Sequence, residues 1–242
     1  MRKKGKLFPE IIGIYDLNAT LVRCALEHRE VTLDDKYDLV EGKAYMTGIQ
    51  ALVRLPMDQK KLDLAAGHNT AGFISGYRGS PLGGYDQQLR SVQNRLDEHD
   101  IEFWEGLNED LGATSVWGSQ QLGLFPGAKR DGLFGIWYGK APGVDRTGDV
   151  FKHANAAGSS ALGGVLAVLG DDHMCKSSTL PSQSEYAMAD AEIPVLNPAS
   201  IQDVLDYGLH AWAMSRFSGA WSAMTALADT MDSGSVVDIT LN

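Results

Sequence analysis

Residues 101–125 read IEFWEGLNEDLGATSVWGSQQLGLF: a β-prone run, a short connector and a helix rich in small residues. Ile101–Trp104 favours a strand, and Asn108 is a good N-cap for the helix that follows. Each glycine in a helix costs about 1 kcal/mol relative to alanine, so small residues weaken it unless another backbone or a ligand approaches closely. We therefore expect a close approach on this helix. Its small residues are Gly112, Ala113, Ser115, Gly118 and Ser119.

Glu109 lies at the first position of this helix, at the turn that follows the strand. In open α/β sheets, ligands bind outside the carboxyl ends of the strands, which is where this turn lies. A carboxylate at a helix N-terminus also stabilises the helix simply by complementing its dipole. The local sequence leaves both interpretations of Glu109 open.

Strand and helix patterns alternate on both sides of this segment, which predicts a three-layer α/β/α domain with a mostly parallel sheet. The apolar run Val165–Leu169 is typical of a strand buried on both faces. The other predicted strands are Thr70–Ser75, Gly132–Tyr138, Pro194–Leu196 and Ala220–Met224.

The predicted helices follow from apolar spacing and capping residues. Thr47 caps the first, which Pro56 should kink or break and Gly67 should end. Asp86 caps the second. Three further helices are predicted from about Gly148, near Gln183–Ala191 and over Ile201–Arg216.

Four loops follow predicted strands and should therefore meet at one edge of the sheet: Gly76–Gly84, Leu107–Glu109, Lys140–Arg146 and Asp171–Ser178. The glycine-rich first loop matches neither the dinucleotide nor the P-loop pattern, and turn formation alone explains its glycines.

Charged residues on or near these loops suggest further ligand contacts. Lys140, Lys152 and His153 could contact an anionic substrate, although surface lysines are commonly only solvated. Asp171-Asp172-His173 could bind a divalent metal, but adjacent side chains after a strand diverge, so we expect no metal site. The same acidic pair followed by Asn197 imitates a diphosphate-binding motif, whose third residue is wrong here.

Composition limits the classes of function. The chain has 242 residues, 44% of them hydrophobic, and a formal net charge of −10. This charge argues against nucleic acid or an anionic membrane as the partner. Two cysteines, Cys24 and Cys175, provide no zinc or iron–sulfur framework, and no signal peptide or membrane span is evident. We expect a cytoplasmic protein with an N-terminal extension at residues 1–45 and one domain at 46–242.

Several long motifs closely resemble the start of indolepyruvate ferredoxin oxidoreductase and, more broadly, 2-oxoacid:ferredoxin oxidoreductases that use thiamine diphosphate. The resemblance covers about residues 45–225. The motifs are GFISGYRGSPLGG (72–84), GLNEDLGATSVWGSQQ (106–121), WYGKAPGVDRTGDVFKHANAAG (137–158), LGDDHMCKSST (169–179) and IPVLNPAS (193–200).

The resemblance implies a pyrimidine-type thiamine diphosphate-binding fold within an enzyme that oxidatively decarboxylates aryl pyruvates such as indolepyruvate. Such enzymes form acyl-CoA and pass electrons to ferredoxin. Glu109 would face N1′ of the cofactor's aminopyrimidine. Asn108 and the loop residues Gly79, Ser80 and Pro81 would lie beside the cofactor, and Lys140, Lys152 and His153 would serve the 2-oxoacid.

The resemblance also implies what this chain does not itself carry. Mg²⁺ and [4Fe–4S] clusters would sit on further domains, and a diphosphate-binding domain of the same or a partner chain would complete the site. We therefore expect an incomplete chain, inactive alone, that works as part of a homo-oligomer such as a dimer. The alternatives are a catalytically silent scaffold or regulatory domain and an unrelated nucleotide-binding domain; retention of Glu109 and the missing dinucleotide motif speak against them.

Overall fold

The computed structural model describes residues 30–176 and 178–240. The predicted N-terminal extension lies outside the described residues up to position 29, and so does Cys24. From Asp34 onward, the described chain forms one compact unit. No helix in these two described ranges is both long enough and apolar enough to cross a bilayer.

Six parallel strands form the main sheet, in the order β3-β2-β4-β5-β7-β6. The chain steps from β2 to one side and then crosses to the other, so the order of the strands reverses between β2 and β4. Ligands commonly bind at such a reversal. The strands are β2 (Ala71–Gly76), β3 (Ile101–Glu105), β4 (Leu133–Lys140), β5 (Val165–Asp171), β6 (Val195–Leu196) and β7 (Ser222–Leu227).

Helices cover both faces of this sheet, which confirms the predicted three-layer architecture. One face packs on α2, α3, α4 and α8, and the other on α5, α6 and α7. The helices are α1 (Asp35–Asp38), α2 (Gly48–Ala65), α3 (Tyr85–Ser91), α4 (Gln93–Glu98), α5 (Glu109–Gln120), α6 (Ala141–Ala157), α7 (Glu185–Asp190), α8 (Ile201–Ser218) and α9 (Ala228–Met231).

Strand β5 shows why the sheet is buried. All seven of its residues are buried, as its apolar run predicts. Leu166 and Val168 point into the core on one face, while Val165, Ala167 and Leu169 point into the other. The period-two alternation of side chains thus supplies both hydrophobic cores from one strand.

A second, two-stranded antiparallel sheet was not predicted. It pairs β1, Glu41–Thr47, with β8, Gly234–Thr240. Most of β1 falls in the predicted N-terminal extension, and no strand was predicted after Met224. Both strands bury only alternate residues near one end, so their outward polar side chains hide the strand pattern.

Helix α2 begins as predicted, and of the kink or break expected at Pro56 it shows no break. The Thr47 hydroxyl accepts a hydrogen bond from the backbone N–H of Gln50, whose side chain in turn accepts one from the Thr47 N–H, forming a capping box. The helix then continues through Pro56 to Ala65. Because all of α2 near Pro56 is buried, packing compensates for the missing backbone hydrogen bond.

A buried ion pair joins α2 and α8 near the amino ends of the strands. Arg216 donates two hydrogen bonds to Asp63, at 2.6 Å and 2.8 Å. Thr70 and Gln59 donate two more to the same carboxylate, at 2.6 Å and 2.9 Å. The side chain of Asp63 is only 4% exposed, so these four bonds replace the water that the carboxylate loses on folding.

Candidate functional site

The four predicted loops meet at the carboxyl edge of the sheet, because the strands that precede them are all parallel. The reversal between β2 and β4 brings the first and third of these loops together. A Cβ placed on Gly79 would lie 2.7 Å from Cδ of Lys140, so the two loops touch. This edge contains Gly79, Ser80, Pro81, Asn108, Glu109 and Lys140.

Glu109 is held at this edge by a well-formed helix start. As predicted, Asn108 is the N-cap of α5, and its side-chain oxygen accepts a hydrogen bond of 2.9 Å from the Leu111 N–H. The indole N–H of Trp137 donates to the Glu109 carbonyl at 3.1 Å. Both ends of the peptide around Glu109 are thereby fixed, and its side chain has a defined direction.

The Glu109 side chain is largely buried, and its carboxyl group accepts no hydrogen bond from the described residues. Its side chain is 10% exposed, and among the described residues no donor lies within hydrogen-bond distance of either oxygen. The nearest charge is Arg146, with Nη1 4.0 Å from Oε2. A carboxyl group in this position is free to accept a hydrogen bond from a ligand that binds at the edge of the sheet.

Helix α6 packs directly against the Glu109 side chain. A Cβ on Gly143 would lie 2.4 Å from Cγ and 2.7 Å from Oε1 of Glu109. Only glycine leaves room for the glutamate there. The neighbouring Asp110 ties the two helix starts together, because it accepts hydrogen bonds from Arg146 at 3.1 Å and from Thr147 at 3.3 Å.

The small residues of α5 are explained in part by close approach to β2. A Cβ on Gly112 would lie 2.9 Å from Cα of Gly76, so the helix backbone lies directly on the strand end. A Cβ on Gly76 would in turn lie 2.1 Å from the Tyr138 carbonyl oxygen. Gly118 has no neighbour within 4 Å, so close packing does not account for it.

Lys140 lies at the mouth of a cleft of about 550 Å³ between α6 and the loop after β5. Among the described residues, its ammonium group has no hydrogen bond or ion pair, and its stem lies along Gly79. Pro81 packs over Gly170 from the other side. The remaining lining is mainly hydroxyl and aliphatic: Ala141, Pro142, Asp145, Ser178, Thr179, Leu180, Pro181, Ser182 and Gln183.

The structure does not bring Lys152 and His153 to this edge. Helix α6 begins at Ala141 rather than near Gly148, so the predicted loop Lys140–Arg146 is mostly helix. At about 1.5 Å per residue, Lys152 lies roughly 16 Å along that helix from its start. Lys152 forms an exposed ion pair with Asp190, and His153 bonds Asp149 on its own helix.

Two other sequence expectations change with the structure. Asp86 does not cap α3, because the helix already begins at Tyr85 after Gly84. Asn197 accepts a hydrogen bond of 2.7 Å from the Thr225 hydroxyl, which links the end of β6 to β7. Gly143 and Arg146 border Glu109 but were not selected from sequence, because they fall in a segment predicted as a loop.

We expect Gly143→Ala to be about 1–3 kcal/mol less stable than Gly148→Ala, the range for overpacking a filled site. Both changes gain similar helix propensity, but only at Gly143 does a Cβ collide with the Glu109 side chain; Gly148 has nothing within 4 Å. Urea unfolding of the two variants measures the difference. Equal free energies of unfolding would show that Glu109 does not rest on Gly143.

Comparison with solved structures supports the fold, whereas comparison with family models and curated proteins found no match. No family model and no curated protein matches this chain. Among solved structures, it matches the 2-oxoglutarate:ferredoxin oxidoreductase of Magnetococcus marinus, determined with 2-oxoglutarate, coenzyme A and succinyl-CoA bound. The TM-score is 0.54 at 13% identity, over 81% of this chain and 31% of that one.

This similarity establishes the fold, an α/β domain with a parallel six-stranded sheet. The present chain spans about a third of the length of the matched chain.

Proposed function

We propose that residues 46–242 are the pyrimidine-side thiamine diphosphate-binding domain of a 2-oxoacid:ferredoxin oxidoreductase. One observation carries the proposal: the Glu109 side chain is largely buried at the carboxyl edge of the sheet, where it accepts no hydrogen bond from the described residues and has Arg146 as its ion-pair neighbour at 4.0 Å. The ring nitrogen of an aminopyrimidine can share a hydrogen bond with such a carboxyl group. The fold shared with an oxidoreductase of this class supports the same assignment.

The surroundings of Glu109 fit the role of a proton-exchanging group. Gly143 lies against the carboxyl group and Gly139 against Cγ of Glu109, while the Trp137 indole holds the backbone carbonyl of Glu109. When bound, thiamine diphosphate supplies a nucleophilic carbon for attack on a keto group. The part assigned to Glu109 is to share a proton with N1′ of the pyrimidine, which requires a fixed position within hydrogen-bond reach.

The remaining predicted contacts belong to the same edge. Gly79, Ser80 and Pro81 lie beside Lys140, and we assign them to the wall next to the cofactor. We assign the Lys140 ammonium to the carboxylate of the 2-oxoacid, since it faces an open cleft without an acidic partner among the described residues. Lys152 and His153 lie too far along α6 for this task.

The finer features of the proposal rest on the sequence resemblance. They are a preference for aryl pyruvates such as indolepyruvate, formation of acyl-CoA, ferredoxin as the electron acceptor, a cytoplasmic location and a homo-oligomeric, dimeric enzyme. Mg²⁺, the diphosphate and the [4Fe–4S] clusters are assigned to other domains. The proposed surface for the diphosphate-binding domain includes Tyr77–Tyr85, Trp117 on α5 and Gln121 directly after that helix.

We expect the isolated chain to bind thiamine diphosphate weakly, with a dissociation constant well above the micromolar range. This domain would contact only the pyrimidine, so the isolated chain should also distinguish poorly between thiamine and thiamine diphosphate. Isothermal titration of both compounds in the presence of Mg²⁺ measures the two constants. Micromolar binding of thiamine diphosphate by the monomeric chain would contradict a site shared with a diphosphate-binding domain. The Glu109→Gln variant, titrated in the same way, is the matched control.

A further inference from the structure

Three potential metal ligands converge at the end of β5, outside the site around Glu109. They are Asp171, the last residue of the strand, His173 in the turn that follows, and Glu185 at the start of α7. One ligand atom from each lies within 4.8 Å of the other two. The cluster borders a cleft of about 450 Å³ that Asp171 and His173 help to line.

We propose that Asp171, His173 and Glu185 bind a divalent first-row transition metal ion such as Mn²⁺, Fe²⁺, Co²⁺ or Zn²⁺. One imidazole nitrogen and two carboxylate oxygens are a mixed donor set that suits these ions. Mg²⁺ and Ca²⁺ prefer oxygen alone, and the softer thiolate ligands are absent from the described cluster.

Asp171 is held in position as metal-binding carboxylates commonly are. It is 1% exposed, and Ser184 donates to both of its oxygens, from the backbone N–H at 2.9 Å and from the hydroxyl at 2.5 Å. Each oxygen therefore keeps a lone pair for an ion. Hydrogen bonds from outside the coordination sphere orient such ligands.

One carboxylate oxygen of Glu185 lacks a partner at this cluster. Its Oε2 is closed to solvent and has no hydrogen-bond partner among the described residues. A buried carboxylate oxygen left without a donor is costly. A cation between the Asp171 and Glu185 carboxylates would give this oxygen a partner.

The geometry requires a small closure of the cluster. Ligand atoms on a tetrahedral ion with bonds of 2.0–2.2 Å lie roughly 3.4 Å apart. A separation of up to 4.8 Å must therefore shrink by about 1 Å. His173 can supply this movement, since it is exposed and lies in a turn, whereas Asp171 is fixed. Water entering from the adjoining cleft would complete the coordination.

No metal site was predicted from the sequence, because the three adjacent residues Asp171, Asp172 and His173 were expected to point in different directions. Asp172 does turn away, as expected of neighbouring side chains: its oxygens accept hydrogen bonds from the N–H groups of Lys176 at 2.9 Å and Ser178 at 3.0 Å. The third ligand comes instead from Glu185, in the next helix. Only the packing of α7 onto the end of β5 reveals it.

Titration of the purified full chain with Co²⁺ tests the site, followed by calorimetry and by the visible absorption of bound cobalt. We expect one ion per chain and a spectrum typical of nitrogen and oxygen ligands. His173→Ala and Glu185→Gln should each weaken binding by at least about 10-fold, since loss even of an outer hydrogen bond commonly costs 10–100-fold.

Two controls keep the experiment specific. Asp229→Asn lines the same cleft without belonging to the cluster, and His153→Ala removes an exposed histidine elsewhere; both should bind Co²⁺ as the unchanged protein does. The inference is overturned if the unchanged chain binds no Co²⁺ at about 1 mM, or if His173→Ala and Glu185→Gln both bind it with unchanged affinity. Neither result bears on the role of Glu109.

Discussion

Replacing Glu109 with glutamine should slow proton exchange at C2 of thiamine diphosphate by about 10²–10⁴-fold in the complete enzyme, the usual contribution of an acid–base group. Cofactor affinity should change little, because glutamine keeps the shape of the side chain and part of its hydrogen bonding. The amide cannot exchange a proton with N1′. Deuterium exchange at C2 followed by NMR measures the effect directly, without the later steps of turnover.

Two nearby glutamates serve as controls for this experiment. Glu105 is the last residue of β3 and pairs with Arg90, and Glu102 lies earlier in the same strand and accepts a hydrogen bond of 2.8 Å from the Trp104 indole. Glu105→Gln and Glu102→Gln should leave C2 exchange nearly unchanged. Equal exchange rates in Glu109→Gln and the unchanged enzyme would remove its catalytic role. Glu109 would then be a helix-start carboxylate that stabilises α5 by at most about 1 kcal/mol.

The segment from β3 through α5 was the most predictable part of the chain. A β-prone run, a polar connector and an Asn N-cap are local signals, and each acts over a few residues. The small residues of α5 further predicted a close approach, which occurs where Gly112 meets Gly76. Local chemistry could not show what that approach would touch, because Gly76 is remote in sequence.

The site was predicted less completely because it depends on helix α6. Glycines and a proline between Gly139 and Thr147 favour a loop, yet the chain is already helical from Ala141, with Pro142 in the first turn where proline is tolerated. This shift moves Gly143 beneath Glu109 and carries Lys152 and His153 away from the sheet edge. The helix start is set by packing on α5 and by the Asp110 hydrogen bonds, which lie outside any local window.

The β1–β8 sheet illustrates a second limit of the sequence. Its two strands are separated by nearly the whole domain and pair in antiparallel register, with Ala44 opposite Val237. Each buries few residues, so neither shows a strong alternating pattern alone. The two strands are stabilised by pairing with each other and by contact with the hydrophobic core on the α2 and α8 face of the main sheet. Both interactions exist only in the folded chain.

Arg216→Ala should lower the free energy of unfolding by about 3 kcal/mol at neutral pH, the lower end of the range for breaking a buried pair. The lower end applies because the Arg216 side chain is 17% exposed. The change leaves the Asp63 carboxylate buried with only Thr70 and Gln59 as donors, and it also removes the bond from Arg216 to the Gly163 carbonyl. Urea unfolding measures the loss.

The pH dependence of this loss identifies its cause. Burial by itself raises the pKa of Asp63, but hydrogen bonds from Arg216 and Thr70 and the Arg216 charge outweigh burial and hold the pKa below its ordinary value. A depressed pKa contributes stability above the unfolded value, about 3.9, and that contribution is lost as the pH falls through the folded pKa. The difference in free energy of unfolding between Arg216→Ala and the unchanged protein should therefore be largest near neutral pH and should narrow in acid.

Lys152→Ala, which breaks an exposed ion pair, is the control and should cost at most about 1 kcal/mol. If the difference for Arg216→Ala stays constant from pH 7 to about pH 3, its cost comes from lost packing and not from the Asp63 charge.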